Sequence, residues 1–251
     1  MNIDEQADKL LDIIAPRFDD YIEKYRLKEI YNFKIKPKIY RDDELFCKEE
    51  QSELIKLNSE NPFKENDKLK EIISDKLKHE KNKLKYYSWI VNKWGKITKK
   101  FNKPDNVIDK FFDQLNLLKI EKEYYEHISS YSKIAAFSDN NKYFIYDSRV
   151  AYVLNWLLVI SKKETLYFPI PEGRNKDLTK NYNMNTIITL LNNGKYFEEE
   201  YTYLVYCKLI DKMYSKKQFD KAYHIEMFLW GLFEKIVKSE IEQKIKIVWK
   251  N

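Results

Sequence analysis

The chain has 251 residues, of which 43% are hydrophobic and 16% aromatic, so it is long enough to bury a core of its own. It contains only 4 glycines and 6 prolines, fewer turn residues than an all-β or a doubly wound α/β fold requires. The formal net charge of +6 is modest for this length and does not by itself indicate a nucleic-acid partner. We therefore expect an all-α protein, a compact multi-helix bundle forming one globular unit over residues 1–251.

Several classes of site are excluded at the level of sequence. Cys47 and Cys207 stand alone, without the paired spacing of a disulfide framework or an iron–sulfur site. None of the three histidines has a partner at metal-ligand spacing, and glycine-rich nucleotide-binding loops are missing, so we expect no metal and no cofactor. The longest apolar run, residues 156–160, is too short to span a bilayer. A cytoplasmic protein without a membrane partner is expected.

The N-terminal half alternates helical patterns with one irregular stretch. Apolar residues after Asp4 predict a first helix that Asp4 caps and Pro16 ends or bends. Residues 32–66 contain few periodic apolar positions and predict a connection that wraps the surface. From residue 68 onward apolar side chains recur at helical spacing with lysines between them, which predicts a long basic-faced helix. If the bundle has two lobes, residues 95–105 mark their boundary.

Lysines concentrate in residues 64–103, which hold 13 lysines against 5 acids. Such a segment combines cations that attract phosphates with rings that stack on bases, and Trp94 and Lys96 form the piece that we expect to be exposed. A solvated lysine face on an amphipathic helix explains the charge equally well, and most aromatic residues share the apolar spacing of a core. Trp94 and Lys96 are therefore candidate DNA contacts, and the other rings are predicted to be buried.

The C-terminal half predicts further helices separated by polar breaks. Pro104 opens one helix, and another runs over about residues 121–137. A polar turn at residues 139–141 leads to an extended link and then to a helix over residues 148–160. Two prolines and a glycine predict an extended loop over residues 166–175. Three more helices are expected at about residues 177–192, 196–214 and 217–240.

Asp147 is the first candidate for chemistry, because it follows an aromatic run and immediately precedes a helix. A carboxylate there can activate water or stabilise a cationic transition state, but aspartate is also a preferred N-cap, and position alone favours the cap. Lys133 and Arg149 flank it and would approach the same phosphate if the chain between them folds as two helices joined by a turn. Solvation, or pairing with a neighbouring acid, explains each cation equally well.

Two other charged residues are candidates for specific contacts. Arg174 lies in the extended loop, where the backbone approaches an anion easily, although it would also suit a helix C-terminus or a pair with a neighbouring glutamate. Glu226 stands within an apolar helical run, and a buried acid needs a partner. We expect Arg149 or Arg174 to pair with it.

The segment Ile128-Ser129-Ser130-Tyr131-Ser132-Lys133-Ile134-Ala135-Ala136, followed by Tyr146-Asp147-Ser148-Arg149-Val150, carries a family resemblance. It resembles the central region of the helix-hairpin-helix DNA glycosylase superfamily, of the 8-oxoguanine and endonuclease III type. In that family an L-P-G-V-G-x-x-T-A segment precedes a V-D-T-H-V-like segment that contains the essential aspartate. Ile128 matches the leucine, Ala136 the final alanine, and Asp147 the aspartate.

The chain departs from the family pattern at the hairpin and at the lysine. Both hairpin glycines are replaced, by Ser130 and Ser132, which alters the turn that presents amides to a phosphate. The resemblance nevertheless implies that these serines, together with Arg149, contact DNA. In the gapless match the Schiff-base lysine position falls on Ile134, which implies a monofunctional enzyme. Lys133, one place earlier, is a second catalytic candidate.

The resemblance implies a helical DNA N-glycosylase that extrudes a base and cleaves its N-glycosidic bond. Asp147 would stabilise the developing sugar cation and orient water, and it would have to open onto a cationic groove that admits the everted base. The alternative is a non-catalytic helical module that binds nucleic acid or a partner protein through residues 64–103. Either protein would suit a role in phage defence.

Overall fold

The computed structural model describes residues 1–101, 103–163, 165–171, 183–192, 194–216 and 218–245. Its helices are α1 (Ile3–Lys24), α2 (Leu27–Ile30), α3 (Lys38–Arg41), α4 (Lys48–Glu60), α5 (Pro62–His79), α6 (Leu84–Ser88), α7 (Asp105–Asn116), α8 (Lys122–Tyr125), α9 (Ile128–Ser138), α10 (Ser148–Ser161), α11 (Met184–Asn192), α12 (Glu199–Tyr214), α13 (Tyr223–Leu232) and α14 (Lys238–Lys244). Two further segments have π-helical hydrogen bonding, π1 (Trp89–Trp94) and π2 (Phe233–Val237). The all-α prediction is confirmed.

The only sheet among the described residues is a two-residue parallel ladder. Its strands are β1 (Leu166–Tyr167) and β2 (Lys195–Tyr196), with Leu166 opposite Lys195. The loop predicted at residues 166–175 therefore begins with a short strand, because parallel pairing to β2 supplies hydrogen bonds that the local sequence does not reveal. Residues 172–175 of that loop lie outside the described residues.

The helix α10 lies at the centre of the molecule. Its residues 150–159 are buried on every side, as expected of a helix that is apolar all round. The helices α1, α11 and α13 and the segment π2 pack around it, while α9 packs against α5, α7, α8 and π1. One apolar cluster extends from Ala7 to Ile241 and includes side chains on both sides of residues 95–105. Residues 143–146 of the link between α9 and α10 are buried in the same cluster.

The first helix is longer than the sequence pattern predicts. It is capped by Asn2, whose Oδ1 accepts a hydrogen bond from the Glu5 amide at 3.2 Å, and not by Asp4. The helix continues through Pro16 to Lys24. Although proline removes one backbone hydrogen bond, buried side chains both before and after it pack against α12 and α10 and hold the helix together.

The stretch from residue 32 to residue 95 differs from its prediction in two ways. Residues 32–66 contain α3, α4 and the start of α5, so the predicted connection is largely helical. The helix α4 escapes detection because Leu54 is its one fully buried position. The long basic helix is also interrupted: α5 ends at His79, and a break precedes α6 and π1.

The helix predicted over residues 121–137 is divided in two. The short helix α8 ends at Tyr125, a turn of Glu126 and His127 follows, and α9 begins at Ile128. Ser130 and Ser132, which replace the two hairpin glycines of the family pattern, both lie inside α9, so the expected alteration of the turn amounts to its absence at these positions. Without glycine at these positions the backbone continues as a helix, with the Ser130 amide bonded to the His127 carbonyl oxygen at 2.8 Å.

The helices near the C-terminus broadly follow the predicted pattern. The helix predicted at residues 196–214 is α12, and the one at residues 217–240 begins later, with α13, and continues through π2 into α14. Of the helix predicted at residues 177–192, α11 covers the end, and residues 177–182 lie outside the described part. None of the described helices is long and apolar enough to cross a membrane.

Candidate functional site

The extended segment before α10 is fixed by side chains from three surrounding helices. The Tyr146 amide donates to Ser132 Oγ on α9 at 3.1 Å, and the Ser132 hydroxyl is within 3.4 Å of the Tyr146 carbonyl oxygen. One residue earlier, the Ile145 amide donates to Glu226 Oε2 on α13 at 2.8 Å, and Tyr206 on α12 donates to the Ile145 carbonyl oxygen at 2.9 Å. These bonds determine where the next residue, Asp147, lies.

Asp147 is the N-cap of α10. Its Oδ1 accepts hydrogen bonds from the amides of Arg149 at 2.9 Å and Val150 at 3.0 Å. Among the described residues Oδ2 accepts none. The side chain is half-buried and lines a cavity, so the cap and a free carboxylate oxygen occur in the same residue.

The cavity has a volume of about 1200 Å³, above the usual range of about 300–1000 Å³ for small-molecule sites. Its walls combine aromatic rings with acids and two cations. Among the lining residues are Tyr31, Phe33, Trp94, Trp230, Ser130, Lys133, Asp147, Arg149, Glu226 and Glu234. Five of the residues proposed from the sequence thus face one space: Trp94, Ser130, Lys133, Asp147 and Arg149.

Lys133 projects from α9 and is 8% exposed. Its Nζ donates to the Ser129 carbonyl oxygen of the preceding turn. Burial lowers the pKa of Lys133, although attraction to Asp147 and Glu226 acts in the opposite direction. An amine with a lowered pKa beside a carboxylate is the environment of a lysine that acts as a nucleophile.

Arg149 lies at the other side of Asp147. Its Nε donates to Glu234 Oε1 at 3.0 Å, and its guanidinium lies 5.0 Å from the centre of the Trp230 ring. The charge of Arg149 is thus partly balanced by a carboxylate while its planar face covers an indole. This arrangement fixes the guanidinium at the cavity wall.

Glu226 is paired with Lys70, and the prediction that Arg149 or Arg174 would neutralise it is not met within the described residues. The Lys70 ammonium lies 3.2 Å from Glu226 Oε2, and both side chains are less than 10% exposed. Burial raises the pKa of Glu226, and the Lys70 charge opposes this shift. Lys70 was read as part of a solvated face, but tertiary packing turns it inward.

The cavity itself is not cationic. Against Lys133 and Arg149 it exposes five carboxylic side chains, those of Glu126, Asp147, Glu199, Glu226 and Glu234. The expectation that Asp147 opens onto a positive groove is therefore wrong for the interior of the site. An acid-rich interior disfavours phosphate and leaves the aromatic walls as its main contact surface.

Positive charge instead collects at one edge of the cavity, in a group that we term the basic edge: Lys36, Lys96 and Arg149. Lys96 donates to the Lys34 carbonyl oxygen at 3.1 Å, and its Nζ lies 4.5 Å from the centre of the Phe33 ring, which lines the cavity. Burial, followed by repulsion from Lys36 and Arg149, lowers the pKa of Lys96. An anion bound here would reduce the repulsion between these cations.

Two of the proposed DNA contacts need correction, and a third lies outside the described residues. Ser132 is fully buried and bonded to Tyr146, so the prediction that it touches DNA is wrong. Trp94 is 8% exposed and bonds to Asn66 at 3.1 Å, so it is a wall of the cavity and not an exposed ring. Arg174 lies outside the described residues.

Sequence reasoning missed other residues of the site. Phe33 and Lys36 lie in the stretch that was read as a surface connection, and Tyr31 had no motif to single it out. The apolar context of Glu226 was a usable signal, but its partner on α5 was not visible in the sequence. Within the described residues, no group of three or more His, Cys, Asp or Glu side chains could hold a metal ion.

No protein-family model, curated protein or solved structure matches this chain. The geometry of the cavity and the chemistry of its residues are therefore the features that indicate a function.

Proposed function

We propose that this protein is a DNA N-glycosylase that releases a damaged or modified base, with Asp147 as the catalytic carboxylate. The observation that carries the proposal is the position of Asp147, which caps α10 through Oδ1 and keeps Oδ2 for a cavity that also contains the Lys133 amine. A carboxylate that is already fixed in place stabilises a developing sugar cation better than water does, because it does not have to reorient.

The walls of the cavity suit a flipped base. Tyr31, Phe33, Trp94 and Trp230 provide rings, and a base extruded from the duplex needs stacking surfaces to replace its lost neighbours. The acid-rich interior would keep phosphates out, while the basic edge at Lys36, Lys96 and Arg149 lies where the backbone of the distorted strand would pass.

The proposal is tested with duplexes that each contain one damaged or modified base. We expect the wild type to produce an abasic site with at least one of them, and Asp147→Asn to slow base release by about 100- to 1000-fold, as for loss of one preorganised electrostatic group. Asparagine keeps an oxygen that caps α10, so DNA affinity and thermal stability should remain. Asp113→Asn, on the exposed face of α7, is the matched control.

Two outcomes would overturn the proposal. Equal rates for the wild type and Asp147→Asn would remove Asp147 from the chemistry. If the wild type forms no abasic product from any substrate while DNA binding persists and weakens with salt, the protein is a helical binding module. The lysines of residues 64–103 support that alternative less strongly than their number suggests, because six of them form ion pairs with acids. These six are Lys64, Lys68, Lys70, Lys76, Lys85 and Lys93.

Lys133 is the second catalytic candidate. Its environment favours attack by its amine, whereas the gapless family match implies a monofunctional enzyme in which water attacks. A neutral amine would attack C1′ and form a Schiff base that borohydride reduces to a stable adduct. We expect a covalent protein–DNA complex with the wild type and none with Lys133→Gln. Full base release without any adduct would instead assign the attack to water.

A further inference from the structure

We infer that Glu226 is a second catalytic group of this site, the acid that delivers a proton to the departing base. This inference rests on the proposed glycosylase function. It arises from a feature that the sequence resemblance does not cover: a buried carboxyl on α13, nearly 80 residues after Asp147, that faces the same cavity.

The geometry gives the two oxygens of Glu226 different roles. Oε2 is anchored by the Ile145 amide at 2.8 Å and by Lys70 Nζ at 3.2 Å. Among the described residues Oε1 accepts no hydrogen bond, and it is not among the side-chain atoms sealed from solvent. One oxygen therefore fixes the carboxyl group while the other remains available to a molecule in the cavity.

Glu226 and Asp147 are placed in contrasting surroundings. Two backbone amides and the N-terminus of α10 stabilise negative charge on Asp147. Glu226 is more deeply buried, and burial, with the nearby Asp147 charge, raises its pKa against the pull of Lys70. A buried carboxyl with a raised pKa beside a second carboxyl that is held by backbone amides is the usual arrangement of a proton donor and a charge-stabilising group.

Tyr31, Asp147 and Glu226 line the same cavity. Burial raises the pKa of Tyr31, and the next causes are the charges of Glu226 and Asp147. Lys133 likewise interacts with both acids. The three titratable groups Asp147, Lys133 and Glu226 therefore surround a common volume beside an aromatic wall.

As the bond from C1′ to the base nitrogen breaks, its electron pair stays on the base, and the Glu226 O–H gives its proton to a ring nitrogen or a carbonyl oxygen of that base. Asp147 stabilises the cation left at C1′, which then accepts a lone pair from water or from the Lys133 amine. The proton lost by that nucleophile returns to Glu226. Lys70 stabilises the carboxylate in the interval.

The test is the pH dependence of base release by the wild type and Glu226→Gln at saturating DNA. Glutamine retains an oxygen for the Ile145 amide but has no acidic proton. We expect the variant to be slower by about 100-fold at the pH where the wild type is fastest, a typical contribution of general acid catalysis. The difference should shrink toward acidic pH, where solvent protons protonate the base directly. Asp113→Asn again serves as the control.

A purely structural role for Glu226 predicts a loss of rate that is the same at every pH, and that result would overturn the inference. The wild-type profile gives a second measurement that does not depend on the variant folding. Its rate should fall on the alkaline side as Glu226 loses its proton, and a rate that stays level there would contradict the inference. If the wild type releases no base at all, the proposed function itself fails.

Discussion

Asp147 is both the N-cap of α10 and a residue of the cavity wall. A helix needs an acceptor for its free amides, and Oδ1 of Asp147 provides it for Arg149 and Val150. Because a carboxylate has two oxygens, the cap leaves Oδ2 for the cavity. Capping also orients the side chain, since the two amides fix its rotation.

Glu65 offers a residue-scale prediction about stability. It is fully buried; Oε1 accepts from the Tyr40 hydroxyl at 2.8 Å, and Oε2 has no partner among the described residues. Burial raises the pKa of Glu65, so the folded protein holds the proton more tightly than the unfolded chain. Its contribution to stability is therefore complete below the unfolded pKa of about 4.3 and is lost as pH rises through the folded pKa.

We expect Glu65→Gln to remove this pH dependence. The free energy of unfolding of the variant, relative to that of the wild type, should increase as the pH is raised from about 4 to 8 in urea titrations. Glu123→Gln, at an exposed position on α8, should show no such trend. A constant difference between Glu65→Gln and the wild type across this range would mean that the buried carboxyl stays charged.

At the scale of elements, both π-helical segments border the cavity. Trp94 ends π1 and Glu234 belongs to π2, and each lines the site. A π turn inserts an extra residue into a helix and so changes which side chains face inward, and such turns are frequent at functional sites. Here one of them sets an indole ring in the wall and the other sets the partner of Arg149.

Gly95, the residue after π1, lies close to the side chain of Lys133 on α9. A Cβ at this position would lie 2.8 Å from the Val91 carbonyl oxygen and 3.1 Å from Lys133 Cδ. We expect Gly95→Ala to destabilise the protein by about 1–3 kcal/mol, as overpacking does, and to displace Lys133. Denaturant unfolding measures the first effect and borohydride trapping the second. A gain in stability, the usual result of Gly→Ala where space is available, would contradict this packing.

At the scale of the whole molecule, polar contacts tie α5 to the C-terminal helices. Asp67 accepts hydrogen bonds from Tyr223 at 2.6 Å and from Lys221, and it contacts His224 at 2.8 Å. The buried pair of Lys70 and Glu226 lies one turn further along α5. These contacts join residues more than 150 positions apart, and one of those residues, Glu226, lines the cavity.

The Lys70–Glu226 pair provides the prediction at this scale. At a pH high enough to ionise Glu226, Lys70→Met should destabilise the protein by about 3–5 kcal/mol, because it then leaves a buried carboxylate without a compensating charge. The double variant Lys70→Met, Glu226→Gln should recover most of this loss, since the remaining amide is neutral and still accepts from Ile145. Urea unfolding of the four proteins of the cycle measures the coupling. Additive losses would show that the two charges do not interact.

The sequence by itself determined the helical class, the approximate helices of the C-terminal half and the place of Asp147 before α10. These features depend on local spacing, on few turn residues and on an aspartate at a helix start, all of which a single segment displays. The replaced glycines indicated an altered turn at Ser130 and Ser132, but the local pattern did not show that both residues lie inside a helix.

Only the tertiary structure decided which charges are buried, which are paired and which meet at the cavity. Lys70 looked solvated and is buried; Glu226 was assigned an arginine partner and has a lysine; Phe33 and Lys36 entered the site from a stretch without a pattern. The physical reason is that burial and charge pairing depend on contacts between distant segments. A sequence pattern reflects only interactions between residues that are close along the chain.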